Sequence, residues 1–100
     1  MAFGVTKSEL NAWKSKCAQG EIAFLTHYWL DPRFSGVKTV TKVGCCDVDR
    51  LQAWCRANGL DPAYIHYREQ YPHYDLIGKK QVEILKKEEL IDHLQRFKLI

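Results

Sequence analysis

The side chains able to do chemistry concentrate between residues 64 and 80, YIHYREQYPHYDLIGKK. Tyr64, Tyr67, Tyr71, Tyr74, His66, His73, Arg68, Asp75, Lys79 and Lys80 all fall there. Aromatics with polar tips suit a half-wet surface or the wall of a cleft better than a dry core. In an extended segment, residues two apart share a face, so His73 and Asp75 project together while Tyr74 turns away. A carboxylate beside an imidazole fixes its tautomer and favours its charged form, which is how an acid–base histidine is built. Two or three such groups also suit a divalent metal, but the pattern names neither a metal nor a cofactor. The ordinary alternative has Asp75 capping the next helix and His73 ordering a turn.

Lys79 and Lys80 follow Gly78 at the expected start of a helix. Helix N-termini favour anions, and lysines in a first turn oppose the helix dipole unless an anion or acid is near. With Arg68 they suggest a phosphate or carboxylate pocket; the plain alternative is a pair of solvated lysines. No G-x-x-x-x-G-K-S/T loop occurs, which excludes a P-loop. His27 and Asp31 lie at the far end of the strongest strand. With Arg33 they would border the same cleft if that strand and the Tyr64 segment ran parallel as neighbours. Against this stands a satisfied histidine in an apolar strand. Cys45 and Cys46 precede a helix, a setting that favours thiolates, with His27 or His66 as a partner base; small buried hydrophobes are the alternative.

The elements that must position these groups follow from local patterns. Thr6 and Glu9 form a capping box for a helix reaching about residue 18, with Leu10, Trp13 and Cys17 on its apolar face and Gly20 beyond its end. Residues 21–30 (EIAFLTHYWL) read as a strand buried on both faces, hence central, and Asp31-Pro32 breaks it. Residues 31–36 form a loop carrying Arg33. Residues 37–43 alternate as a second strand with one wet face. Asp47 caps a helix to about residue 58, stopped by Asn58-Gly59, with Leu60 folding back. Asp61-Pro62 starts a short helical turn. Residues 64–67 read as a third strand, 68–72 as a loop and 74–77 as extended or turn. Gly78 opens a helix bearing Val82, Ile84 and Leu85. Leu90, Ile91, Leu94 and Phe97 continue or follow it. Glu83–Lys87 and Asp92–Arg96 have the spacing of helical ion pairs. The fold class is α/β or α+β: a small sheet of about three strands flanked by about four helices.

A chain of 100 residues, 46% apolar and 27% charged, is one globular domain, residues 1–100. A net charge of +3 with acids and bases interleaved permits an anionic ligand without demanding nucleic acid. The cysteines Cys17, Cys45, Cys46 and Cys55 show no C-x-x-C spacing, so they read as reduced thiols of a cytoplasmic chain rather than as zinc ligands. The longest early apolar run, residues 22–25, is far too short for a signal segment or membrane span.

Three stretches carry a resemblance: GEIAFLTHYWLD (20–31), TVTKVGC (39–45) and PHYDLIGKKQ (72–81). On these the chain resembles, over nearly its full length, the short uncharacterised bacterial proteins typified by Bacillus YneQ. Residues 47–87 also resemble a broader bacterial domain of unknown function that pairs an L-x-x-W/F helix with H-Y-D-L and a following lysine. Here His73-Tyr74-Asp75-Leu76 and Lys79 or Lys80 fill that pattern. The longer loop at 31–39 and Gly78 depart from it. The resemblance implies no activity.

Three readings follow. The leading one is a small binding domain for an anionic, phosphate-bearing ligand such as a nucleotide or a nucleic-acid end. Tyr64, Tyr67 or Tyr71 would stack on a ring, Arg68, Lys79 and Lys80 would meet the anion, His73 with Asp75 would orient it, and His66 and Arg33 would line the cleft. The second is a metal-dependent or acid–base hydrolase using His73 and Asp75 with His27. The third is a protein-interaction module or homo-oligomer presenting an aromatic patch.

Overall fold

The computed structural model describes residues 4–29, 38–67 and 71–100. Arg33 and Arg68 therefore lie outside the described residues, as do Asp31 and the proposed 31–36 loop. The chain runs α1 (Lys7–Ala18), β1 (Ala23–Tyr28), β2 (Thr39–Gly44), α2 (Val48–Ala57), a 3-10 turn (Pro62–Tyr64), β3 (His73–Leu76), α3 (Gly78–Lys87) and α4 (Ile91–Arg96). The sheet has the order β1-β2-β3 and both pairings are antiparallel, giving an α+β fold.

Several ends form as their residues dictate. The Thr6 hydroxyl accepts from the Glu9 amide at 3.1 Å, and Glu9 Oε1 accepts from the Thr6 amide at 2.9 Å. Asp47 Oδ1 accepts from the Arg50 amide at 3.1 Å and starts α2. Gly59 takes φ +70°, and the Leu60 amide then donates back to the Cys55 carbonyl at 2.8 Å, which lets Leu60 pack on the core. The helical ion pairs expected from spacing give way to longer-range partners. Lys87 Nζ donates to Asn58 Oδ1 at 2.6 Å, and Arg96 engages Glu9, with Nη2 to Oε1 at 3.0 Å.

Three expectations are corrected. Among the described residues β1, which falls within the expected strand 21–30, lies at the edge of the sheet, and β2 is central. Double-sided burial came from helices on both faces of β1, not from strands on both sides. The third strand is His73–Leu76, whereas Tyr64 ends the 3-10 turn and His66 contributes only an isolated bridge to His73. The second strand has no wet face: of Thr39–Gly44 only Lys42 is even half-exposed.

Helix α1 lies on one face of the sheet. Trp13, Cys17, Ala23 and Leu25 form that core, and Trp13 Nε1 donates to the Ala23 carbonyl at 3.1 Å. On the opposite face Val43 and Leu76 meet Leu51 and Cys55 of α2 and Ile84 of α3. That second interface also holds a buried polar chain. Gln81 Nε2 donates to Thr41 Oγ1 at 3.0 Å, Thr41 Oγ1 lies 2.7 Å from Thr26 Oγ1, and Thr26 Oγ1 lies 2.8 Å from His93 Nδ1. Thr39 Oγ1 donates to Gln81 Oε1 at 3.3 Å.

The close approach of α1 to β2 depends on Gly44. A β-carbon there would fall 2.4 Å from Trp13 Cζ2 and 2.7 Å from Cys17 Sγ, so Gly44→Ala forces two buried side chains to move. It should cost about 2–3 kcal/mol in urea unfolding. Gly78→Ala, where φ is +63° but nothing lies within 4 Å, should cost only about 1 kcal/mol.

Candidate functional site

Strand alternation and register sort the candidate residues onto faces. Leu25, Lys42 and Asp75 are opposite one another across the three strands, as are Ala23, Gly44 and His73, and His27 is opposite Val40. His27, Lys42, His73 and Asp75 therefore share the α1 face. His66 joins them through its bridge to His73, since the two imidazoles stack with centroids 5.2 Å apart. Tyr71 lies on this side too, its ring edge-on to Trp13 at 5.9 Å.

The histidines are held by backbone carbonyls. His73 Nδ1 is 3.0 Å from the Tyr71 carbonyl, and His27 Nδ1 is 2.9 Å from the Tyr28 carbonyl. A carbonyl only accepts, so both rings carry hydrogen on Nδ1 and turn Nε2 away. His73 Nε2 faces Asp75 Oδ1 at 3.6 Å, and His66 Nε2 meets Asp75 Oδ2 at 3.3 Å. Asp75 is thus a carboxylate between two imidazoles, and it does not cap α3. The N-cap of α3 is Ile77, with no side-chain cap bond.

Among the described residues, two buried polar atoms on this face have no hydrogen-bond partner: His27 Nε2 and Asp75 Oδ1. An unmade bond in such a place costs about 1–3 kcal/mol. Burial pushes the His27 ring below the ordinary imidazole range; Lys42 lowers it further, while the Tyr28 carbonyl and Asp75 oppose. His27 is accordingly a neutral ring with a buried lone pair. It stands on β1 and Asp75 on β3, with β2 between and an offset of two residues along the strands, so their backbones are about 12 Å apart. The expected triad of His27, His73 and Asp75 shares a face without converging on one atom. Among the described residues, no group of three His, Cys, Asp or Glu is placed to hold a metal ion.

The remaining candidates lie elsewhere. Tyr64 and Tyr67 are exposed beside α2, where Tyr67 Oη accepts from Gln52 Nε2 at 3.3 Å. Lys79 is exposed in the first turn of α3, and Lys80 reaches Glu83 at 3.9 Å. Because α3 packs on the opposite face, these lysines do not join the imidazole cluster. A cavity of about 470 Å³ does open at Gly78, but its cations are Lys38 and Lys98. Cys45 is buried, and desolvation pushes its thiol up, as befits a small buried hydrophobe rather than an activated thiolate. Lys42 was legible only through register, because nothing local marks the lysine opposite Asp75. His93 was missed as well; the threonines at 26, 39 and 41 on one face were the available signal.

This is an α+β domain with a histidine–carboxylate face on its sheet. The chain is 57% identical, over 99% of its length and all of the relative's, to the uncharacterized protein YneQ of Bacillus subtilis (strain 168). It belongs to the YneQ family. No family model matches the chain, and no solved structure matches it. No helix among the described residues is long and apolar enough to cross a membrane.

Burial also pushes the His93 ring down. For His27 and His93 the unfolded chain takes up protons near pH 6.5 while the folded chain resists them. The stability they contribute is fully present above that pH and is lost as pH falls through the lowered folded values. Unfolding free energy should therefore decline below about pH 6.5, by up to ~1.4 kcal/mol per pH unit per ring. His93→Asn, which keeps an acceptor for Thr26, should flatten the slope by about one proton in urea titrations at several pH values.

Proposed function

We propose that the chain is a small-molecule-binding domain whose ligand lies diagonally across the α1 face from His27 past Lys42 to Asp75. The carrying observation is the pair of buried acceptors, His27 Nε2 and Asp75 Oδ1, on one face without donors. A ligand with hydroxyl or amino groups supplies those donors. The spacing across three strands suits a molecule several bonds long rather than a single ion. Lys42 adds a cationic side chain to this face, which suits an anionic, phosphate-bearing ligand. A nucleotide has both halves, with hydroxyl or amino groups at one end and phosphate at the other. Tyr71 is the aromatic on the correct side, and Lys79 and Lys80 take no part.

A titration series with nucleoside, nucleotide and inorganic phosphate tests this by calorimetry. A nucleotide should bind more tightly than its nucleoside, with affinity falling as salt rises. Asp75→Asn and His27→Phe should each weaken binding by about tenfold or more, the loss of one buried hydrogen bond. Unchanged affinity in both variants would remove the site.

A second reading rests on the His66–Asp75–His73 arrangement. Its fixed His73 tautomer and shared carboxylate suit proton transfer to a bound ligand. Phosphoester hydrolysis that disappears in His73→Gln while nucleotide affinity persists would favour an enzyme; equal loss of both would favour binding alone.

A further inference from the structure

Three of the four cysteines meet where α1 ends and α2 begins, on residues that the proposed binding site does not use. The Cys46 amide donates to the Cys17 carbonyl at 3.0 Å. A main-chain bond of that kind holds α-carbons about 5–6 Å apart, inside the range a disulfide spans. The junction is fixed from other directions too, since Arg50 Nη1 donates to the Gly20 carbonyl at 3.0 Å and the Glu21 amide to the Lys16 carbonyl at 3.2 Å. The side chains sort as the backbone does. Cys17 Sγ lies over Gly44 on the α1 face, while Cys45 belongs to the core beneath α2. Cys46 stands in the bend that follows β2, and a charge on it is felt at the Cys17 thiol more strongly than one on Cys45. Cys46 is exposed and Cys17 buried.

We propose that Cys46 and Cys17 form a thiol–disulfide exchange site for low-molecular-weight disulfides, closing into a reversible bond between α1 and the entry to α2. The Cys46 thiolate attacks one sulfur of the small disulfide. A Cys46 mixed disulfide forms, the original sulfur–sulfur bond breaks, and the first small thiolate leaves. Cys17 then loses its proton and attacks the Cys46 sulfur, expelling the second small thiolate. The protein loses two electrons, the small disulfide gains them, and the two cysteine protons end on the two released thiols. Burial pushes the Cys17 thiol up to about 12, which makes its attack the slower step and leaves Cys46 as the point of entry. Cys55 takes no part, being buried in the core beneath α2.

The test treats the full chain with oxidised glutathione near pH 8, counts free thiols and maps peptides without reduction. Two of the four thiols should disappear, and one linked peptide should join Cys17 to Cys46 within a single chain. Dithiothreitol should restore all four. Cys46→Ser, an exposed change that leaves the core intact, should abolish the link. Cys45→Ala should retain it. A mixed disulfide that persists at Cys46, a Cys45–Cys46 bond or a link between two chains would each overturn the proposal.

Discussion

The buried row from Gln81 through Thr41 and Thr26 to His93 is the constraint on which the rest of the architecture depends. Inside the core each polar atom must have a partner, because an unmet one costs more than a hydrophobic contact returns. Thr26 and Thr41 satisfy each other only in the observed β1–β2 register. Gln81 and His93 then dock α3 and α4 on that pair. A slip of one residue would carry every side chain to the other face. The hydroxyls would enter the α1 interface, and the histidine and carboxylate would enter the core beneath α2. The row and the candidate site are thus two sides of one register decision.

That decision explains why the sheet divides its polar groups so unequally. On the side of α2, α3 and α4, polarity forms a closed chain in which donors and acceptors match. On the α1 side, His27 and Asp75 retain unmet acceptors while their neighbours are anchored. Helix α1 covers Ala23, Leu25 and Gly44; Lys42 and Asp75 are level with Leu25, and His27 is two residues further along β1. His73 and His27 are each anchored by a nearby backbone carbonyl.

Local chemistry was legible wherever one residue decides an outcome. Thr6, Asp47, Gly59 and Asp61 each end or start an element by a bond to a neighbour within five residues, and each was readable as such. The pairing of His73 with Asp75 was equally local, because alternation fixes it. What lay out of reach depended on partners far along the chain. Residues 21–30 look the same whether strands or helices cover them, so the edge position of β1 could not be read from composition. Tyr64–Tyr67 has the residues of a strand but spends its first member in a proline-started turn. The opposition of Lys42 to Asp75 needs a register, and a register needs the whole sheet. The single hollow expected for imidazole, carboxylate and lysine became two regions because α3 packs on the face away from Asp75.

The bond between Arg96 and Glu9 has a further consequence. Helices α1 and α4 lie on opposite faces of the sheet, and their side chains meet past the outer edge of β1, closing a cavity of about 420 Å³ that includes Phe24 and Thr26. Arg96 holds the Glu9 carboxyl down to about 2, so this clasp stays charged through ordinary acid conditions. An edge strand with free amides and carbonyls would otherwise serve as a template for another chain. By bracketing that edge from above and below, the two helices oppose runaway polymerisation of the sheet without a proline or a bulge in β1.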